Sequence, residues 1–278
     1  MESLYAIKKM NAFIISTIVF LCAIFNSGTA HTINKNKPKT LVLIICSDNL
    51  PVYEGLQKVW RSYMHLYPES FECYFIRGNP LLPTKFYIEQ DVIWSKTQES
   101  LTPGLLNKTL LSLEALLPRL DEFSYVLRTN LSSFFVLPNL LDFLIKAPSQ
   151  RFYAGIHHGH GFPGHEAGWV CGAGIIMSTD LAKMLVSNSS RFFDLSPENP
   201  FNVDDVAIAD YFAENKIPIQ ASRFREIYSL QDWINTKQNI PTDVFHFRII
   251  TPPPTRLEVD LSIHKTLLEF FYNKTVLF

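Results

Sequence analysis

The sequence predicts an α/β domain with a mixed sheet flanked by helices. Three observations carry that expectation. Residues 40–46, TLVLIIC, are a continuous aliphatic and β-branched run, the pattern of a strand buried on both faces. Apolar runs then alternate with amphipathic stretches in the order β-α-β-β-α-β through the first half. Residues 125–136, YVLRTNLSSFFV, begin and end apolar around a polar insert, Arg128-Thr129-Asn130-Leu131-Ser132-Ser133. A buried strand that stops on small polar residues delivers them beyond the strands' carboxyl ends, where open α/β sheets bind ligands. Taken alone, the insert also reads as a plain turn between two strands.

The chain has 278 residues, 47% hydrophobic and 18% charged, enough for a substantial core. A net charge of -1 argues against nucleic acid as the partner, since a phosphate backbone calls for a basic face. Lys8 and Lys9 precede an apolar run from Ala12 to Phe25, and small residues from Ser27 to Ala30 follow it. Residues 1–30 therefore read as a signal peptide, with an uncleaved signal anchor as the alternative. The run is short against the roughly twenty residues of a bilayer span. Residues 31–39 read as a linker, and residues 40–278 as one globular domain. That domain is expected in the secretory pathway: secreted, or in the ER or Golgi lumen as a type II membrane protein.

With Cys22 in the leader, Cys46, Cys73 and Cys171 remain, without metal-type spacing. Cys46 and Cys73 fall in strand-like runs and read as buried thiols. An exported domain allows one disulfide, its pairing open. Sequons at Asn107, Asn130, Asn188 and Asn273 suit a glycoprotein.

The elements follow in order. The first strand breaks at Ser47-Asp48-Asn49-Leu50-Pro51. Val52, Leu56, Val59, Trp60, Tyr63 and Tyr67 then share one helical face. Phe71 to Ile76 and Asp91 to Trp94 are strands. Thr102 as cap and Pro103 at the first position open a helix that buries Leu106, Leu110, Leu113 and Leu117. Phe123 to Leu127 is the next strand, and Leu137-Pro138 opens a helix to Ile145. Phe152 to Ile156 is strand-like, and a Gly-rich loop follows with His157, His158, His160 and His165. Trp169 to Met177 reads as one strand. Ser178-Thr179-Asp180 caps a helix to Val186, and Asp204-Asp205 opens another with Val206, Ile208, Ala209 and Phe212 inside. Ile217 to Ala221 and Val244 to Phe247 are strands. The run Pro252-Pro253-Pro254 is expected to end the compact part, with a helix from Leu261 to Tyr272 docked behind it.

Five segments, in their order, carry a resemblance. They are the helix at Asn107-Lys108-Thr109, the strand Tyr125 to Arg128, Tyr153-Ala154-Gly155, the small-residue run Cys171 to Ser178, and Val203-Asp204-Asp205-Val206. Over roughly residues 40–248 the chain resembles the GT-A glycosyltransferases, in particular the β-1,3-galactosyltransferase/Fringe-like group. The resemblance implies a GT-A-like, Rossmann-like fold and a nucleotide-sugar donor, a UDP-sugar in that group. It also implies an acceptor hydroxyl on a glycan or glycoprotein, and inversion at the anomeric carbon. Family members end a strand in Asp-x-Asp, which holds a divalent cation, usually Mn²⁺, against the donor diphosphate. Here that position reads Asn130-Leu131-Ser132. These oxygens ligate without charge, and a hard cation wants anionic oxygens, so Mn²⁺ is expected to be weakly held or dispensable.

The same resemblance distributes the site residues. Asp205, with Asp204 second, takes the acceptor proton. Ser47, Asp48, Asn130, Ser132, Gly172 and Gly174 lie along the donor. Asn130, Ser132 and His246 are the metal candidates. Arg128 offers its charge to the diphosphate or to a structural carboxylate, and Arg248, on the strand face of His246, offers another. Trp169 and His158 suit the acceptor side. Each has a structural alternative: both aspartates as helix caps, both glycines as close packing, His246 as a buried hydrogen-bonder. The loop histidines suggest zinc, but HHGHG lacks the spacing of a convincing site. The competing function is a catalytically inactive GT-A-shaped module that binds a glycan or a partner.

Overall fold

Residue 40 onward makes the first strand, β1 (Thr40–Ile45), and every side chain in it is buried. Its successive residues face opposite ways. Val42 and Ile44 enter one apolar layer, while Leu41, Leu43 and Ile45 enter the other. The computed structural model describes residues 37–47, 51–159, 165–193 and 203–276. From Pro38 on these form one compact unit. The leader over 1–30, most of the 31–39 linker, Asp48 and His160 lie outside the described residues. No helix among the described residues is long and apolar enough to cross a membrane.

The elements after β1 are α1 (Pro51–Tyr63), β2 (Phe71–Gly78), β3 (Phe86–Glu89), β4 (Val92–Ser95), α2 (Gly104–Ala115), β5 (Tyr125–Asn130), β6 (Ser133–Phe135) and α3 (Leu137–Leu144). Next come β7 (Tyr153–Ala154), β8 (His157–His158), β9 (Trp169–Val170), β10 (Gly174–Ser178), α4 (Thr179–Ser187), α5 (Ser189–Phe193) and α6 (Asp204–Glu214). The chain closes with β11 (Ile219–Gln220), β12 (Phe224–Ile227), α7 (Leu230–Gln238), β13 (His246–Ile249) and α8 (Arg256–Tyr272). The main sheet has the order β11-β7-β10-β5-β1-β2-β4-β3, and a small second sheet has the order β12-β13-β6. It is the mixed sheet flanked by helices that the sequence predicts.

Helices cover both faces. Val52, Leu56, Val59 and Trp60 of α1 pack in one layer with Ile263, Leu267 and Leu268 of α8. Leu106, Leu110 and Leu113 of α2 pack in the other with Leu181 of α4 and Phe212 of α6. Leu117, expected on that stripe, is 40% exposed, because α2 ends at Ala115 and a 3₁₀ turn over Leu117–Glu122 rotates Leu116 and Leu120 inward. Pro103 precedes α2, and the Ser100 hydroxyl, rather than Thr102, accepts the Gly104 amide. Trp169 to Met177 is two strands broken by a turn at Gly172-Ala173. The prolines do not end the compact part: Arg256, Asp260 and Ile263 open α8 against the sheet. Cys46, Cys73 and Cys171 are buried, and no disulfide joins them to one another.

Register fixes what reaches each edge. β1 pairs in parallel with β5 so that Ile45 lies opposite Asn130, and with β2 so that Ile45 lies opposite Ile76. β10 runs antiparallel, with Gly174 opposite Thr129. The carboxyl ends of β1, β2 and β5 therefore meet the beginning of β10 at one edge.

Tyr272 locks α8 to this frame. Its hydroxyl accepts from Leu137 N at 2.7 Å and donates to Phe135 O at 2.8 Å, and its ring stacks on Tyr63 at 5.0 Å. Tyr272→Phe leaves the buried Leu137 amide unpaired, an expected loss of about 1–3 kcal/mol in urea unfolding. A loss below about 0.5 kcal/mol would show that the anchor lies elsewhere.

Candidate active site at the carboxyl edge of the sheet

A cavity of about 470 Å³ opens at that edge, over the ends of β1 and β5. Ser47, Asn130 and Ser132 line it from the strands, Lys108 from α2, Tyr53 from α1 and Arg256 from α8. Two cations, Lys108 and Arg256, and one carboxylate, Glu99, thus share the cavity. Lys108 is fully buried and donates to Cys46 O at 3.2 Å and to Glu99 Oε2 at 2.7 Å. Burial pushes its ammonium below the usual lysine pKa, and the Glu99 carboxylate opposes that. Arg256 donates through Nε to Asp260 Oδ2 at 3.1 Å and through Nη2 to Ser132 Oγ at 2.9 Å.

On the far side of β5 a buried ion pair meets a further carboxylate. Arg128 and Asp204 form an ion pair with both side chains nearly sealed from solvent, 2% and 3% exposed. Arg128 Nη1 also donates to Gly172 O. Burial lowers the Arg128 pKa to about 10, still far above neutrality, and the nearby Asp205 carboxylate pulls it upward. Arg128 is therefore not delivered to a diphosphate, and Asp204 is not an open base; each is consumed by the other. Asp205, half-buried in the first turn of α6, accepts from Gly172 N through Oδ2 at 2.8 Å and from Val206 N through Oδ1 at 3.0 Å. A Cβ on Gly172 would stand 2.6 Å from Arg128 Nη1 and 3.3 Å from Asp205 Oδ2. Close approach of these two side chains, rather than of a donor, requires glycine there.

Asp205 does not line the cavity. It lies at the same edge, tied to Gly172 in the turn that feeds β10, and β10 is the direct neighbour of β5. One strand spacing, roughly 5 Å, separates those two strands. Ser133 joins the two sides: its hydroxyl lies 2.8 Å from Ala173 O and 3.2 Å from Asn130 Oδ1.

The expected metal set does not fit a cation. His246 is 1% exposed, and its Nε2 lies 3.1 Å from Ser133 Oγ. Its ring stacks on Phe135 at 4.3 Å. A Cβ on Gly174 would stand 2.9 Å from its Nδ1, so Gly174 is spent on fitting this ring. Ser132 Oγ already accepts from a guanidinium. A divalent ion at that oxygen would also face the guanidinium's positive charge. Among the described residues, no group of three or more His, Cys, Asp or Glu gathers to hold a metal.

The remaining candidates sit apart from the cavity. Arg248 Nη1 donates to Glu226 Oε1 at 3.0 Å and lies 3.1 Å from the Tyr228 hydroxyl, so its charge is directed at a carboxylate rather than a phosphate. His158 Nε2 lies 3.3 Å from the same Glu226 oxygen. Trp169 pairs across from His158 in the β8–β9 hairpin. His157 meets Ala167 O and His165 meets Asp210, so these histidines disperse to separate partners. Lys108 and Arg256 are the residues sequence reasoning passed over. The one signal was a lysine among the leucines of a buried helix.

The fold is similar to that of a glycosyltransferase involved in the glycosylation of the major capsid of PBCV-1. The TM-score is 0.50 at 10% identity, over 81% of this chain and 99% of that one. At that identity the likeness is one of fold alone. No protein-family model matches the chain, and no curated protein does.

Two measurements probe the edge. Arg128→Met strands Asp204 as a buried, uncompensated charge, an expected loss of about 3–5 kcal/mol, and Arg128→Met/Asp204→Leu should recover most of it. A double variant as unstable as the single one would contradict the pairing. The second concerns pH. Burial, with the Arg248 charge adding to it, lowers the His246 pKa from 6.5 to about 3. Below pH 6.5 the unfolded chain binds a proton that the folded chain refuses. Stability is therefore full above pH 6.5 and falls as pH drops toward 3. At pH 4.5 His246 alone accounts for about 2–3 kcal/mol. His264, lowered to about 4 by burial, adds to it. Urea unfolding at pH 7 and 4.5 should show the drop, and His246→Gln should shrink it. An equal drop in both proteins would rule His246 out.

Proposed function

We propose that this protein is a glycosyltransferase that moves a sugar from a nucleotide-sugar donor to an acceptor hydroxyl of a glycan or glycoconjugate. The observation that carries the reading is the cavity at the carboxyl edge of a glycosyltransferase-like sheet, where the Arg256 guanidinium is bracketed in the wall, with a half-buried carboxylate, Asp205, next to the neighbouring strand. Open α/β sheets bind ligands at this edge, and about 470 Å³ lies in the range of a small-molecule site. The order of segments that resembles the β-1,3-galactosyltransferase/Fringe-like group supports a UDP-sugar as donor and inversion as outcome.

In this reading the donor lies in the cavity with its anomeric carbon on the Asn130 side of β5. Asp205 accepts the proton from the acceptor hydroxyl. The acceptor oxygen forms the new bond to the anomeric carbon as the bond to the phosphate oxygen breaks, and the electron pair leaves with the nucleoside diphosphate. The hydrogen bond from Gly172 N orients the carboxylate and leaves it further lone pairs for that proton. Asp204, held by Arg128, fixes the start of α6 and so the place of Asp205. Trp169 and His158 are proposed on the acceptor side, in the hairpin that flanks Gly172. If the N-terminal segment is retained, it holds the enzyme at a membrane of the secretory pathway with this domain in the lumen.

The test is nucleotide release by purified protein, across a panel of nucleotide sugars and glycan acceptors. One donor should be turned over, and Asp205→Asn should lower the rate by about 10²–10⁴-fold with the melting temperature unchanged. A folded protein that releases nucleotide from no donor would instead be the glycan- or partner-binding module.

A further inference from the structure

The position that bears an acidic metal motif in the resembled family bears a cation here. Ser132 Oγ accepts a hydrogen bond from Arg256 Nη2 at 2.9 Å. The guanidinium is held from three directions. Asp260, fully buried, takes Nε, Ser132 takes Nη2, and the Tyr53 ring lies 5.6 Å from its centre. Asp260 is itself fixed, since its Oδ1 accepts from Thr251 N and Thr251 Oγ1. Nη1 is the part of the fork with no hydrogen bond among the described residues, on a side chain that lines the cavity. Lys108 is the second fixed cation, placed by Cys46 O and by Glu99, which in turn accepts from Gly78 N. A planar guanidinium fork matches phosphate oxygens, and a buried ammonium adds a point charge beside it.

We propose that Arg256, with the buried charge of Lys108 behind it, replaces the divalent cation: its guanidinium holds the diphosphate of a nucleoside diphosphate donor in this cavity, and binding needs no metal. The donor's identity rests on the glycosyltransferase reading above; the anion site rests on the cavity itself. Asp260 and Glu99 serve as brackets. They balance the two cations when the cavity is empty and keep both from swinging out to solvent. The hydroxyls of Ser132 and Ser47 and the amide of Asn130 line the same wall, and they offer hydrogen bonds to phosphate oxygens that two carboxylates would have repelled.

The experiment is calorimetric titration of the whole protein with UDP and, separately, with inorganic pyrophosphate, in EDTA and in Mn²⁺. Both ligands should bind with the same affinity in the two buffers. Arg256→Gln keeps a donor for Asp260 and removes the charge; it should weaken both ligands by ~10-fold or more, with a melting temperature near that of the parent. Should that variant unfold, Arg256→Lys carries the test, since it keeps the charge and loses the fork; its expected loss is ~3-fold or more. Binding that appears only with Mn²⁺, affinities unchanged by the Arg256 variants, or no binding of either ligand would overturn the proposal. Turnover that requires Mn²⁺ would overturn it while leaving the glycosyltransferase reading intact. Metal-free, Arg256-dependent binding without turnover of any nucleotide sugar would do the reverse.

Discussion

The buried pairing of Arg128 with Asp204 is the constraint that organises the carboxyl edge. Two charges taken out of water are costly unless their geometry is good and their remaining hydrogen-bonding atoms are used. Here the guanidinium reaches across from β5 to the first turn of α6 and also meets Gly172 O, while its Nε has no hydrogen-bond partner among the described residues. The pair thereby staples three segments that are remote in sequence: the strand at 128, the turn at 172 and the helix at 204. That staple explains why residue 172 must lack a side chain. It also explains why Asp205 presents its carboxylate beside the turn, since its neighbour cannot move.

Across β5 the edge is divided in what it presents. One side carries Arg256 and Lys108, each bracketed by a carboxylate, around a cavity; the other carries the Arg128–Asp204 pair and Asp205. Ser133 and Asn130 form the seam, and Ser133 also seats the neutral ring of His246 beneath the edge. A sugar transfer that inverts its centre asks for this division, with positive charge where a phosphate leaves and a carboxylate where a proton arrives. Ser132 meets a guanidinium where the resembled family has its acidic motif.

Much of the fold was legible because burial writes periodicity into sequence. The run at 40–46, the stripe Val52-Leu56-Val59-Trp60 and the leucines of α2 all followed from it. The short strands β3 and β12 and the helix α7 left weaker traces, because each is short and half exposed and carries little apolar pattern. The site divides the same way. The polar insert and Asp204-Asp205 were legible as candidates, for they stand at predicted element ends. Which aspartate is free was not, because only tertiary contact reveals that Arg128 claims Asp204. Arg256 was hidden behind three prolines that read as a terminus, and Lys108 behind a helix that read as core. Their convergence depends on α8 folding back over α1, and no local pattern encodes that.

The most direct test is a crystal structure with a nucleoside diphosphate bound. Its diphosphate should lie against Arg256 Nη1, over the wall that covers Lys108, with the terminal phosphate toward Asn130 and the Asp205 side of β5. Phosphates seated elsewhere, such as the second cavity lined by Asn139, Phe143, Lys146 and Arg223, would contradict the account at its centre.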